Sequence, residues 1–76
     1  MNAQAAQTTS IRIVVNGQPR SAPAGLTLLD LLKWLEVDPA RVAVELNRAI
    51  VGKSQWASAV VAAESTLEIV QFVGGG

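Results

Sequence analysis

Apolar and polar positions alternate with period two in three stretches of this chain and recur with a helical period in a fourth. In "IRIVV", Ile11, Ile13 and Val15 fall on one side and Arg12 and Val14 on the other, the pattern of a strand with one buried face. Val42, Val44 and Leu46 alternate inward through "VAVEL", and "TLEIVQFV", Thr66 to Val73, is the last such run. Leu28, Leu31, Leu32 and Leu35 stand at i, i+3, i+4 and i+7, one apolar stripe along a helix.

Turn chemistry joins these segments. Asn16-Gly17 follows the first strand directly, and Asn-Gly is a hairpin signal because both residues tolerate positive φ. The return strand, Gln18 to Ala22, contains Pro19; proline has no N–H for a ladder, so this strand belongs at a sheet edge. Pro23-Ala24-Gly25 ends the hairpin. Thr27 caps the helix with Asp30 at the third position, placing an acceptor and a negative charge at its start. The helix ends near Glu36, because Pro39 excludes the helical conformation at Asp38. Asn47-Arg48 turns the chain into a short strand, Ala49 to Val51. Gly52 to Val60 reads as irregular, with one short helical turn around Gln55 to Ala57, and Ala62 to Ser65 reads as a loop.

The order strand, strand, helix, strand, short strand, strand predicts an α+β fold. One main helix packs on one face of a mixed sheet of four to five strands, with the two most apolar strands, first and last, as central neighbours. This is the β-grasp arrangement of ubiquitin. The expected organisation is a disordered extension over 1–10, the folded domain over 11–73 and a flexible glycine tail over 74–76.

Composition narrows the chemistry. The 76 residues are 50% hydrophobic and 16% charged, with six basic and six acidic side chains and a net charge of zero. That balance gives no electrostatic footprint for nucleic acid or an anionic membrane. Cysteine and histidine are both absent, which removes disulfides, thiolate nucleophiles and the commonest metal ligand. No apolar run approaches the roughly 20 residues a bilayer requires, and "MNAQAAQTTS" lacks the basic start and apolar middle of a secretory signal. The expectation is a cytoplasmic protein that binds no metal and no cofactor. "GKS", Gly52 to Ser54, resembles the end of a phosphate loop, but Asn47 stands where the first glycine is needed. Asp30, Glu36, Asp38, Glu45, Glu64 and Glu68 are scattered over caps, turns and solvent faces, with no spacing suited to a paired acid and base. Trp34 and Trp56 read as core or half-buried packing.

Two features remain. If Leu67 and Ile69 face the helix, Glu68, Val70 and Phe72 point to the other sheet face, and Val14 with them; Val14, Val70 and Phe72 are the candidate partner surface. After them comes Gly74-Gly75-Gly76. Glycine lacks Cβ, so such a tail is thin enough for a narrow channel, and it reaches roughly 10 Å beyond the fold when extended. No side chain crowds the Gly76 carboxylate, which suits attack on ATP to give an acyl-adenylate open to sulfur or amine nucleophiles.

The run from "NGQPRSAPAGLTLLDLLKWLEVDPARVAVELNRAIVGKSQW" to "LEIVQFVGGG" resembles the ThiS family, the sulfur carriers of thiamine (thiazole) biosynthesis. "VAVELN" after Asp38-Pro39, Ser54-Gln55-Trp56 and the closing "EIV-x-FVGGG" carry the resemblance. It implies a β-grasp protein that is not itself an enzyme. A ThiF-like, E1-like adenylyltransferase would activate Gly76 with ATP, and sulfur from a cysteine desulfurase would make the thiocarboxylate. A ThiG-like thiazole synthase would then accept the sulfur. Gly76 would carry the sulfur, Gly75 and Gly74 would give clearance, and the free protein would be a monomer. Arg48-Ala49, Gly52-Lys53 and Glu64-Ser65-Thr66 depart from the family's usual turns. A molybdopterin-type sulfur carrier, a ubiquitin-like modifier conjugated through Gly76 and a binding module with an idle tail are the alternatives. Gln71-Phe72-Val73 lacks the proline pair of the first, and no basic residue precedes the glycines as in the second.

Overall fold

The computed structural model describes residues 9–72. Five strands, β1 (Ser10–Val15), β2 (Gln18–Pro23), β3 (Val42–Leu46), β4 (Ala49–Val51) and β5 (Thr66–Gln71), accompany one α-helix, α1 (Leu28–Trp34). The sheet order is β2-β1-β5-β3-β4. β1 and β5 run parallel, while the β1–β2, β3–β5 and β3–β4 pairs are antiparallel. The expected α+β, β-grasp architecture is therefore the observed one, with β2 at an edge, as Pro19 requires, and β5 in the centre.

α1 covers one face of the sheet. Leu28, Leu31 and Leu32 are buried against Ile13, Val42, Val44 and Leu67, with Leu35 packed at the margin. The helix begins where expected: Asp30 N–H donates to Thr27 Oγ1 at 3.2 Å. The two preceding N–H groups, which no helical turn can satisfy, donate to a neighbouring segment, Leu28 to Ala59 O and Leu29 to Trp56 O. At the other end Glu36 adopts φ 62. Glu36 N–H then donates to Lys33 O and Val37 N–H to Leu32 O, the paired bonds of a Schellman stop.

The structure corrects several boundaries. Ser10, assigned from sequence to the extension, is the first residue of β1, and Thr9 O accepts from Ala24 N–H. Pro39–Arg41 forms a 3-10 turn capped by the Asp38 carboxylate, where only a break was expected; proline suits the first position of such a turn because its missing N–H would have no partner there. The helical turn expected around Gln55 to Ala57 lies at Lys53–Gln55. β5 stops at Gln71 rather than Val73, although Phe72 N–H still donates to Arg41 O. Trp56 is a core residue whose indole N–H donates to Val51 O at 2.8 Å, whereas Trp34 is 42% exposed on α1. The expected extension up to Gln7 and Thr8 and the tail from Val73 lie outside the described residues.

Candidate functional site

The site is built around β5, the strand that leads into the glycine tail. Alternation along it sends Leu67 into the core and Ile69 against its margin, while Glu68 and Val70 face outward. Two asparagines hold its backbone, one on each flank. On the β3 side, Asn47 N–H donates to Thr66 O at 2.7 Å and Asn47 Oδ1 accepts from Thr66 N–H at 2.8 Å. On the β1 side, Asn16 Oδ1 accepts from Ile69 N–H at 2.7 Å and Asn16 Nδ2 donates to Ile69 O at 3.2 Å. The Asn16 amide thus stands in for one more peptide unit of β1 after the main chain has turned away. Both residues take positive φ, 50 and 51, which asparagine tolerates better than most residues.

The sequence identified both asparagines as turn formers and missed their hold on β5. A bond spanning 53 positions, as between Asn16 and Ile69, leaves no local signature. Arg48 and Glu64, in two of the turns that depart from the family pattern, also carry positive φ, 72 and 66.

Among the described residues nothing covers the outward face of the sheet. Val70 is 59% and Phe72 51% exposed, and Ile50, which the sequence did not single out, is 80% exposed. Ala43 is the cross-strand partner of Val70, and Ile50 that of Glu45. These residues line a shallow depression of about 420 Å³ together with Glu68. Val14 lies on the same face but pairs with Thr66, four residues before Val70 and so roughly 13 Å along the strand. Val70 therefore has Ala43 and Ile50 as its apolar neighbours, and Val14 lies apart. Glu45 and Glu68 are directly opposed, an unfavourable like-charge pair. Apolar area of this kind on an exposed sheet is an interaction surface more often than idle surface.

Gly74, Gly75 and Gly76 lie outside the described residues. Among the described residues no group of three or more histidine, cysteine or acidic side chains could hold a metal ion. None of their helices is long and apolar enough to cross a membrane. Lys53 of the "GKS" segment sits 5.9 Å from the centre of the Trp56 ring, and its Nζ donates to Ala40 O; both contacts are structural.

A central parallel β1–β5 pair, one crossing helix and an edge hairpin define a β-grasp protein with an outward apolar face at the root of a glycine tail. A model of the ThiS family matches residues 13–76, and the chain belongs to that family. It is 32% identical over 66 residues to the sulfur carrier protein ThiS of Escherichia coli, covering 87% of this chain and all of that one. A crystal structure of the thiamine biosynthesis protein ThiS from Geobacter metallireducens superposes with a TM-score of 0.77 at 29% identity, covering 87% of this chain and 100% of that one. A thiazole synthase of Magnetococcus marinus is 41% identical over 66 residues, covering 87% of this chain. The chain spans 20% of that synthase's length.

Proposed function

We propose that this chain is a sulfur carrier for thiamine thiazole synthesis, with Gly76 as the carrying residue. The observation that bears most weight is the exposed face on β5, the strand that the glycines follow in sequence. A partner that docks on Val70 and Phe72, with Ile50 of β4 in the same apolar face, meets the stretch of chain that runs in sequence directly into the glycines. Membership of the ThiS family and the resemblance to carrier proteins support the chemistry assigned to that tail. Cysteine is absent from the 76 residues, so no side chain here can carry sulfur as a persulfide.

In this reading an E1-like adenylyltransferase brings the Gly76 carboxylate onto the α-phosphorus of ATP, and pyrophosphate leaves. A sulfur nucleophile then displaces AMP. With hydrosulfide the product is the thiocarboxylate directly. With an enzyme-bound persulfide, such as a cysteine desulfurase supplies, the product is an acyl disulfide that a thiol reduces to the thiocarboxylate. Thiazole synthase is the acceptor, a partner supported by the similarity between this chain and one part of a thiazole synthase. The chain's own contribution is binding and presentation, not catalysis. The reading requires Gly76 to be the last residue of the mature chain.

The test is intact-mass spectrometry after incubation with the adenylyltransferase, ATP and hydrosulfide. The expected gain is the mass difference between sulfur and oxygen. Deleting Gly76 should abolish it without changing the thermal midpoint, since end residues contribute little to stability. A gain that survives the deletion would refute the assignment of Gly76. Lysine-linked conjugates would point to a ubiquitin-like modifier instead.

A further inference from the structure

The β1 lane of the sheet ends before β5 does. The pairing of β1 with β5 stops at Val15 and Leu67, after which the chain turns at Asn16-Gly17. β5 continues beside β3 through Gln71, and Phe72 N–H adds one more rung to Arg41 O. Peptide groups alternate in direction along a strand. Phe72 N–H and Thr66 O both bond toward β3 and its turn, whereas Leu67 O and Ile69 N–H and O all bond toward β1 and Asn16. By the same alternation the N–H and C=O of Gln71 point into the β1 lane. No described residue bonds to either.

This opening is built as a place for a strand. It forms a recess of about 390 Å³ on the helix side of the sheet, bounded by Val15, Gln18, Arg20, Leu35, Ile69 and Gln71. Val15, Leu35 and Ile69, all packed against the core, give it an apolar floor. The Asn16 amide closes its inner end by occupying Ile69. Arg20 is the one charged residue on its wall. The ion pairs among the described residues are Arg12–Glu64 and Arg41–Asp38, so no described carboxylate pairs with Arg20. A backbone donor and acceptor and a guanidinium, none of them paired among the described residues, together with an apolar floor, match an extended peptide that bears a carboxylate.

We propose that an extended segment of thiazole synthase occupies this lane. It pairs with the Gln71 N–H and C=O by strand addition and sets an acidic side chain against Arg20. The inference rests on the reading of thiazole synthase as a partner, and it assigns that partner a second contact, on the side of the sheet opposite the Val70–Phe72 face. Gripping the backbone there would fix the root of the tail from both sides.

Two measurements on the full chain and the thiazole synthase of the same organism test it. The first is amide hydrogen exchange by NMR. In the free chain Ile69 and Val70 should be protected while Gln71 exchanges freely; on adding synthase the Gln71 amide should slow at least roughly tenfold, the effect of one added backbone hydrogen bond. The second is affinity. Gln71→Pro deletes only the N–H that faces the lane, and extended Val70 accommodates a following proline. The thermal midpoint should hold while Kd rises about tenfold, the loss of one interfacial hydrogen bond. Arg20→Glu, at an exposed edge position, should raise Kd about as much by setting like charges together. Binding by the wild type with Gln71 still exchanging freely, or with Kd unmoved by both variants, would overturn the lane and leave the partner reading intact. Protection of Gln71 that grows with concentration in the absence of synthase would assign the lane to a second copy and overturn the proposal. No binding by the wild type at all would overturn the partner reading together with the lane.

Discussion

The two faces of the sheet are cut from the same strands, yet they differ in nearly every respect. On the helix side Ile13, Val42, Val44 and Leu67 are each at most 1% exposed, under Leu28, Leu31 and Leu32 of α1. On the other side Ile50, Val70 and Phe72 keep half or more of their surface in contact with solvent. Burial of an aliphatic side chain is worth roughly 1.5–3 kcal/mol, so the first face supplies the stability of a domain this small. The second contributes little and carries the opposed pair Glu45 and Glu68. The comparison separates two faces: one holds the fold, and the other, on the strand that leads to the glycines, is the one proposed to meet a partner.

The largest expected effects come from reversing that division. Leu32→Ala, at a position with no exposure, should cost about 3 kcal/mol through lost burial and a residual cavity. In a sulfur-loading assay below its melting midpoint the variant should still reach wild-type yield. Phe72→Ala should do the opposite: a change in unfolding free energy within about 0.5 kcal/mol, with several-fold weaker binding to the adenylyltransferase or the synthase. Denaturant unfolding and a binding titration on both variants check the pair. Unchanged affinity of Phe72→Ala for both enzymes would remove the outward face from the account.

A smaller effect sharpens the comparison at β5, which belongs to both faces. Asn16→Gly keeps the positive φ while deleting the amide that holds Ile69. A loss of about 1–2 kcal/mol is expected for its two hydrogen bonds, together with faster exchange of the Ile69 amide. Retained protection of that amide would show that the side chain is dispensable.

The smallest effect is a gain. Arg48 holds φ 72 in the β3–β4 turn, and Asn47-Arg48→Asn-Gly restores the pairing such turns favour. Arg48→Gly should stabilise the protein by up to about 1 kcal/mol. The thermal midpoint reads it directly.

What was legible in the sequence was whatever has a local period or a local stop. The leucine stripe placed α1, the alternation of Ile11 to Val15 and Val42 to Leu46 placed β1 and β3 with the correct inward sides, and Pro19 put β2 at an edge. Asn16-Gly17 marked the hairpin but not the second function of the asparagine, because a side chain replacing a peptide unit across 53 positions has no pattern along the chain. Ile50 was missed as part of the exposed face because a three-residue strand is too short for alternation to reveal its direction. Val14 was grouped with Val70 because period two assigns a face but not a register. The register sets them four residues apart. The lane beside Gln71 was illegible for a related reason: it arises from the unequal lengths of two neighbouring strands. The glycine tail was read from the sequence alone, and its role is a matter of chemistry rather than of the fold.

The most direct test of the central claim is to fragment the sulfur-loaded protein and locate the added mass. The account predicts sulfur on the C-terminal fragment ending in Gly76, one oxygen exchanged, with every other fragment unchanged. Sulfur on any other fragment, or a Gly76 carboxylate that keeps both oxygens while the protein supports thiazole formation, would contradict it.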